Sequence, residues 1–349
     1  MKFSFFVLKI IVIFIVGLIC PVKQICFAYH YDTFNVFHWD NIRFTSAEPN
    51  KNFVKTQYII NNPNKFNAFI FGSSRVGYIP PNLLPKVEDG TSLRWYNMTY
   101  SEGIPGDNLM TLKSFLEKGV EVKIVMLAFD NISMYASVND HKSQLLRIPF
   151  QVYEKSKFDF FRPYLTTAVD PLIIKQIDEY DYEAHKQQSE QFYSFGCWGD
   201  DFSLPENIDL SRYEIGHQGY PLKDSYKDLE EIVDLCAENG IKLILFTNPM
   251  YQILYRNSVE DGYLDFLTKV AQKCEFYNFS TLNNYTQNPR YFYEWSHYRP
   301  ALGLIIEKYL FGTEKERAEI RKEAGDELFG IKVNSENVDF VISELKKKI

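Results

Sequence analysis

Phe69-Ile70-Phe71-Gly72-Ser73-Ser74-Arg75 is the stretch from which the fold is read. The apolar run starts at Phe66 and stops at a glycine; two hydroxyls and a guanidinium follow at once. A short continuous apolar run ended by a turn residue describes a strand buried on both faces. A strand that ends in Gly-Ser-Ser delivers a hydroxyl to the mouth of whatever site lies at its carboxyl end. Taken alone, Ser73 and Ser74 suit equally the N-cap of a helix that follows the strand.

Outward from this stretch, strands and helices alternate. Residues 91–97 read as a second strand. Residues 107–118 carry Leu109, Leu112, Phe115 and Leu116 at helical spacing and stop at Gly119, a C-cap signal. Residues 120–128 form the next predicted strand. Residues 224–239 place Leu229, Ile232, Val233 and Cys236 on one helical face, and residues 241–247 follow as a strand. A helix over 263–273, a short strand over 276–279 and a helix over 300–311 complete the pattern, with Pro300 in the first turn of the last helix. The alternation predicts an α/β three-layer sandwich, a central parallel sheet flanked by helices, over residues 66–312. The interval 132–223 breaks the rhythm and reads as an insertion above the carboxyl ends of the strands, with helical potential at 170–192. Residues 29–65 read as a connector containing one helix near 50–61, and the charged residues 313–349 as a helical C-terminal appendage.

Only Lys9 clearly interrupts the apolar run of residues 3–20. About 18 such residues suffice for a helix that crosses a bilayer core. Lys2 and Lys9 orient the segment with its start in the cytoplasm. Gly17, Cys20 and Ala28 offer no clean small-x-small cleavage pattern, so residues 1–28 read as an uncleaved transmembrane signal anchor rather than a cleaved secretory signal. Either reading places the remainder outside the cytoplasm, at the periplasm or cell surface. The net charge of −7, without a dense Lys/Arg stripe, argues against nucleic acid as a partner. Five scattered cysteines make neither a zinc site nor a disulfide framework; a Cys197–Cys236 or Cys197–Cys274 bridge is the pairing left open. His30, His38, His141, His185 and His217 lack metal spacing and read as ordinary surface or loop residues. Gly216-His217-Gln218-Gly219-Tyr220 is a weak candidate for lining the cleft.

A serine hydroxyl is a poor nucleophile unless a base takes its proton and a third group orients that base. Tyr293-Glu294-Trp295-Ser296-His297-Tyr298-Arg299-Pro300 supplies both, because Glu294 lies three residues before His297 and one turn of chain lets it reach the imidazole. Ser74, His297 and Glu294 are therefore the candidate nucleophile, base and orienter. Arg75 reads as the partner of a carboxylate or as a weaker candidate substrate contact.

These blocks resemble those of the SGNH/GDSL hydrolase superfamily. The nearer likeness is to its membrane-anchored branch, which includes D-alanyl-lipoteichoic acid biosynthesis and alginate acetylation proteins. Gly72-Ser73-Ser74 stands where that superfamily has Gly-Asp-Ser, and Glu294-Trp295-Ser296-His297 where it has Asp-x-x-His. Asn97 and Tyr298-Arg299-Pro300 also fit, and the likeness spans residues 66 to about 311. The resemblance implies an oxyanion hole of the Ser74 and Gly106 amides, with Gly106 taken from Gly103-Ile104-Pro105-Gly106-Asp107. Where a Gly-x-Asn-Asp block is usual, Ala128-Phe129-Asp130-Asn131 stands, so Asn131 takes the asparagine's part or only the two amides serve. An acidic Asp130, a further weak candidate for substrate contact, would oppose the developing negative charge. The resemblance implies a serine acyl-esterase or O-acyltransferase that needs no metal or organic cofactor. It would act on an acylated glycan or an acyl donor, with a membrane-bound O-acyltransferase as a partner. The rival expectation is a catalytically inactive module that binds glycan or scaffolds an envelope export complex.

Overall fold

The computed structural model describes residues 21–199, 201–210 and 225–349. Of the expected anchor over residues 1–28, residues 1–20 lie outside them, as does the Gly216–Tyr220 stretch; residues 21–31 are helical. Among the described residues no helix is long and apolar enough to cross a membrane.

Helix α1 (Lys51–Asn61) precedes strand β1 (Ala68–Phe71). Strand β2 (Trp95–Asn97), helix α2 (Pro105–Glu117) and strand β3 (Ile124–Phe129) follow. The insertion folds into short helical turns and three longer helices, α3 (Lys157–Thr166), α4 (Pro171–Asp178) and α5 (Lys186–Phe195). The core resumes with α6 (Tyr226–Glu238), β4 (Lys242–Thr247), α7 (Gln252–Glu260), α8 (Tyr263–Ala271) and β5 (Phe276–Asn278). It ends with α9 (Pro300–Phe311), α10 (Glu314–Ala324), β6 (Ile331–Val333) and α11 (Val338–Lys346).

The six strands lie in the order β2-β1-β3-β4-β5-β6. All pairs are parallel except β5 with β6. Alternate side chains of each strand enter opposite layers, as the period of two requires. Phe69 and Phe71 pack with Leu109, Leu112 and Phe115 of α2 and with Leu229 and Ile232 of α6. Ala68 and Ile70 face the other layer, with Leu302 and Ile306 of α9. Each large apolar side chain buried this way contributes roughly 1.5–3 kcal/mol. The result is an α/β protein with a mostly parallel sheet flanked by helices. The strand order reverses between β1 and β3, where sheets of this kind bind their ligands, at the carboxyl ends.

Three stretches differ from the expectation. Residues 91–97 are not one strand. Thr91–Ser92 pairs with Val87–Glu88 in a small hairpin, and the sheet strand begins at Trp95. Asp89 and Gly90 both have positive φ, which is the backbone of a two-residue hairpin turn. Residues 313–349 are not an appendage. Strand β6 pairs with β5, and Val338, Val341, Ile342 and Leu345 of α11 join the main core. Much of the charge that suggested an outlying segment sits on α10, whose Ile320 and Ala324 are nevertheless buried. Residues 29–65 are more than a connector. Val36, Ile42, Phe53 and Val54 form a third core with Ile148, Phe150, Phe160 and Phe192 of the insertion. The two regions thus build one wall above the sheet.

Lys55 of α1 clamps that wall down. Its ammonium donates to the carbonyls of Asn97 (3.0 Å), Thr99 (2.7 Å) and Gly196 (2.7 Å). Three carbonyls satisfy its three donors. His141, expected at the surface, is buried instead: its Nδ1 lies 2.5 Å from Asp107 Oδ2, which also accepts from Tyr100 Oη at 3.1 Å. Cys197, Cys236 and Cys274 form no disulfide, so neither bridge left open by the sequence is made.

Candidate active site

The loop after β1 is shaped by its glycine. Gly72 has φ +148°, and a Cβ there would lie 3.0 Å from Val76 Cγ1 and 3.1 Å from the Ala128 carbonyl. Only glycine fits this turn. Ser73 is extended and caps a 3-10 turn over Ser74–Tyr78. Ser74 is the first residue of that turn, so its N–H has no partner within the turn. The sequence left N-cap and nucleophile as competing readings of the two serines, and the structure divides the positions between Ser73 and Ser74.

The second loop is a tight hairpin. Phe292 bridges Tyr298, and Tyr293 N donates to His297 O at 2.9 Å. Inside it the Glu294 carboxylate accepts from the amides of Ser296 (2.9 Å) and His297 (2.7 Å) and lies 2.5 Å from His297 Nδ1. Burial alone would raise the Glu294 carboxyl, but the bonds from His297 and from the Ser296 amide hold it below the usual value. His297 Nε2 lies 2.7 Å from Ser74 Oγ. A carboxylate only accepts, so the imidazole proton belongs on Nδ1 and Nε2 is left to accept from the Ser74 hydroxyl. Ser74, His297 and Glu294 therefore form one hydrogen-bonded chain. The rings of Tyr78 and Trp198 stand 6.1 Å from the imidazole.

A buried ion pair joins the two loops. Arg75 and Asp130 side chains are each 1% exposed, with Arg75 Nη1 2.7 Å from Asp130 Oδ2. Arg75 also donates to Ser296 O (2.9 Å), Ser296 Oγ (3.0 Å) and Asn131 Oδ1 (3.0 Å). Asp130 accepts from Ser73 Oγ (2.7 Å), Asn248 Nδ2 (3.1 Å) and Ile132 N (3.0 Å). Arg75 is thus the partner of a carboxylate, the first of its two sequence readings, and the polar atoms of both residues are spent on each other and on the loops rather than left for a substrate. Asp130 is not a bare charge at the oxyanion position, because Arg75 neutralises it. Asn131 lines the cavity, and with its oxygen taken by Arg75 its amide nitrogen is the free end.

Gly106 is placed elsewhere. It lies in the first turn of α2, where a Cβ would meet Val138 Cγ2 at 2.7 Å and Asp228 Oδ2 at 2.9 Å, and it does not line the cavity. The close approach is made by Gly103, whose Cβ would fall 2.1 Å from the Gly72 carbonyl. Gly103 sits against the nucleophile turn, and its own N–H closes a turn onto Tyr100 O at 3.2 Å. The same turn carries Ser101 and Glu102 into the cavity wall. Asn97 also has a structural task, its Nδ2 donating to Val76 O (2.6 Å) and Ile79 O (3.1 Å) at the end of the 3-10 turn.

Ser74, His297 and Glu294 open into a cavity of about 810 Å³. Its far wall comes from residues 44–51, the Ser101–Glu102 turn and the insertion. Two ion pairs line it, Lys51 with Glu48 (2.8 Å) and Arg147 with Glu102 (3.0 Å). Ser101 Oγ donates to Glu48 at 2.5 Å, and Lys51 Nζ stands 4.1 Å above the Trp198 ring. Burial pushes the Lys51 ammonium below the ordinary lysine value, against the opposing pull of Glu48. Sequence reasoning missed these wall residues, which come from regions far apart in the chain. For Arg75 and Asp130 a signal existed: two lone charges directly after buried strands call for each other.

Among the described residues no group of three His, Cys, Asp or Glu is arranged to hold a metal ion. No protein-family model and no curated protein matches the chain. Fold and site together define a class: a doubly wound α/β protein carrying a Ser-His-Glu hydrogen-bonded chain at the strand-order reversal. That arrangement can activate a serine oxygen toward a carbonyl carbon.

Proposed function

We propose that the chain is a serine acyl-esterase or O-acyltransferase of the SGNH/GDSL kind, acting outside the cytoplasm on an acyl ester of a glycan. The observation that carries the reading is the continuous hydrogen-bonded chain from Ser74 Oγ through His297 to Glu294 at the rim of a large cavity. Ser74 Oγ bonds to the ester carbonyl carbon while its proton passes to His297 Nε2. The carbonyl oxygen takes up the displaced electron pair, facing the Ser74 N–H and the amide of Asn131. Collapse breaks the carbon–oxygen bond, and His297 returns the proton to the departing alkoxide. The acyl group on Ser74 then passes to water, or to a sugar hydroxyl, with His297 again as base. Glu294 holds the imidazole in register and stabilises its charged form.

The acidic residue after β3 counted for an inactive binding module. The pairing of Asp130 with Arg75 takes away the reason for that objection. The choice of a glycan and the transfer step rest on the resemblance of the sequence blocks, and the membrane anchor on the apolar run at residues 3–20. A fluorophosphonate probe tests the nucleophile. The wild-type chain becomes labelled and Ser74→Ala does not, with ester turnover falling by at least roughly a thousandfold. Equal labelling of both overturns the assignment. Supplying a sugar acceptor then separates transfer from hydrolysis.

A further inference from the structure

A second surface lies apart from the Ser74 cavity. Residues 21–31 are helical, and their side chains at Val22 (53% exposed), Ile25 (44%), Phe27 and Tyr29 are bare. Gln24 Nε2 donates to Thr167 O at 2.9 Å, which holds this segment against the end of α3. Between the two runs a groove of about 370 Å³, lined by Ile25, Phe158, Phe161 and Leu165. Phe158 at its edge is 72% exposed. Lys157 and Arg162 stand on its rim, and α3 carries Asp159 as its one carboxylate.

The chain itself indicates what covers this face. Residues 3–20, apolar but for Ser4 and Lys9, run directly into residues 21–31. A segment apolar on every side needs cover on every side. A cavity of about 150 Å³ takes one aromatic ring, so the groove accommodates roughly two ring-sized groups and cannot cover eighteen residues. Lipid can cover both. Ile25 lies five residues beyond the run, or roughly 8 Å along a helix, which sets the groove at the depth of the headgroups. Apolar side chains rimmed by Lys and Arg are what an interfacial helix presents to anionic lipid.

We propose that the face formed by residues 21–29 and α3 rests on a lipid bilayer, with Ile25 and Phe158 dipping into the interface and Lys157 and Arg162 at anionic headgroups. The insertion would then be held flat to the membrane, a contact additional to the N-terminal run and independent of the chemistry at Ser74.

The test uses the full chain in vesicles of phosphatidylcholine with a minority of phosphatidylglycerol. A polarity-sensitive fluorophore is attached through Phe158→Cys, in a background of Cys20→Ser and Cys26→Ser; Cys197, Cys236 and Cys274 are buried. The control is Phe340→Cys on α11, also exposed but without a neighbouring apolar run. The expected result is a blue-shifted probe at 158 that headgroup-region spin-labelled lipid quenches several-fold more strongly than the probe at 340. Equal quenching at the two positions overturns the proposal. So does a shift at 158 that lipid does not quench, which would place residues 1–20 in the groove, or one that grows with protein concentration, which would place a second copy there. Vesicles without phosphatidylglycerol should reduce the quenching at 158 several-fold; unchanged quenching overturns the assignment of Lys157 and Arg162 to anionic headgroups.

Discussion

Replacing Arg75 with methionine removes the guanidinium that meets Asp130, Asn131 and both oxygens of Ser296. The aliphatic volume is nearly kept, so the loss is electrostatic. Asp130 stays buried with its bonds from Ser73, Asn248 and Ile132 but without a counter-charge. Removing one member of a buried pair costs about 3–5 kcal/mol. A domain stable by roughly 5–15 kcal/mol survives this, though weakened. Arg75→Met with Asp130→Asn removes the stranded charge while keeping an acceptor, and should recover about 2 kcal/mol of the loss. Urea unfolding followed by tryptophan fluorescence measures these differences. The fluorophosphonate labelling rate measures the site: with Asn131 and Ser296 unheld it should fall roughly ten- to a hundredfold in both variants. A cost below about 1 kcal/mol for the single variant, or a double variant no more stable than the single, refutes the pairing argument. An unchanged labelling rate refutes the positioning argument.

Glu294→Gln keeps the shape of the orienting side chain but removes its charge; it should lower the maximal rate by about 10³–10⁴ with little change in substrate affinity, read from the split of kcat and KM. A fall confined to KM would count against the orienting role. Glu307 on α9 is buried, its Oε1 has no partner, and burial raises its carboxyl from 4.5 to about 8. Its folded pKa lies above the unfolded one, so stability is full below about pH 4.5 and declines as pH rises through 8. The loss at neutrality is about 3 kcal/mol, and Glu307→Gln should flatten the stability–pH curve over that window and raise the melting temperature at its alkaline end. Gly103→Ala would set a methyl 2.1 Å from the Gly72 carbonyl, so it should displace the nucleophile turn and abolish labelling of Ser74 even where circular dichroism shows a folded chain.

The sheet was legible wherever strands are buried on both faces. Such strands read as continuous apolar runs, as residues 124–129 and 243–246 do within the observed β3 and β4. Helix α9 begins at its predicted proline because Pro300 fixes a first turn. Strand β6 was hidden because three residues on an antiparallel edge, centred on exposed Lys332, carry almost no pattern. At the site, the contact of Glu294 with His297 is local and is written in their spacing. The choice between Gly103 and Gly106 is not, since both lie in one four-residue run and only the packing against Gly72 distinguishes them. For Arg75 the sequence signals that a carboxylate partner is needed but not that it is Asp130, because the two strand ends are brought together only by the sheet register.

The Lys55 clamp has a kinetic consequence. It ties α1 to the end of β2 and, across 141 positions of sequence, to Gly196. Contacts of that span close late, because the intervening chain must lose its freedom before the bond compensates for it. The sheet can therefore assemble while the wall over residues 29–65 and the insertion is still open. Until the wall arrives, Lys55 and the three carbonyls it will bind remain in water, with no desolvation to oppose. The bond of His297 to Ser74 spans 223 positions, further than the clamp, so by the same reasoning it closes no earlier. Reactivity toward small probes and discrimination among large substrates would then be acquired together, late in folding, rather than one before the other.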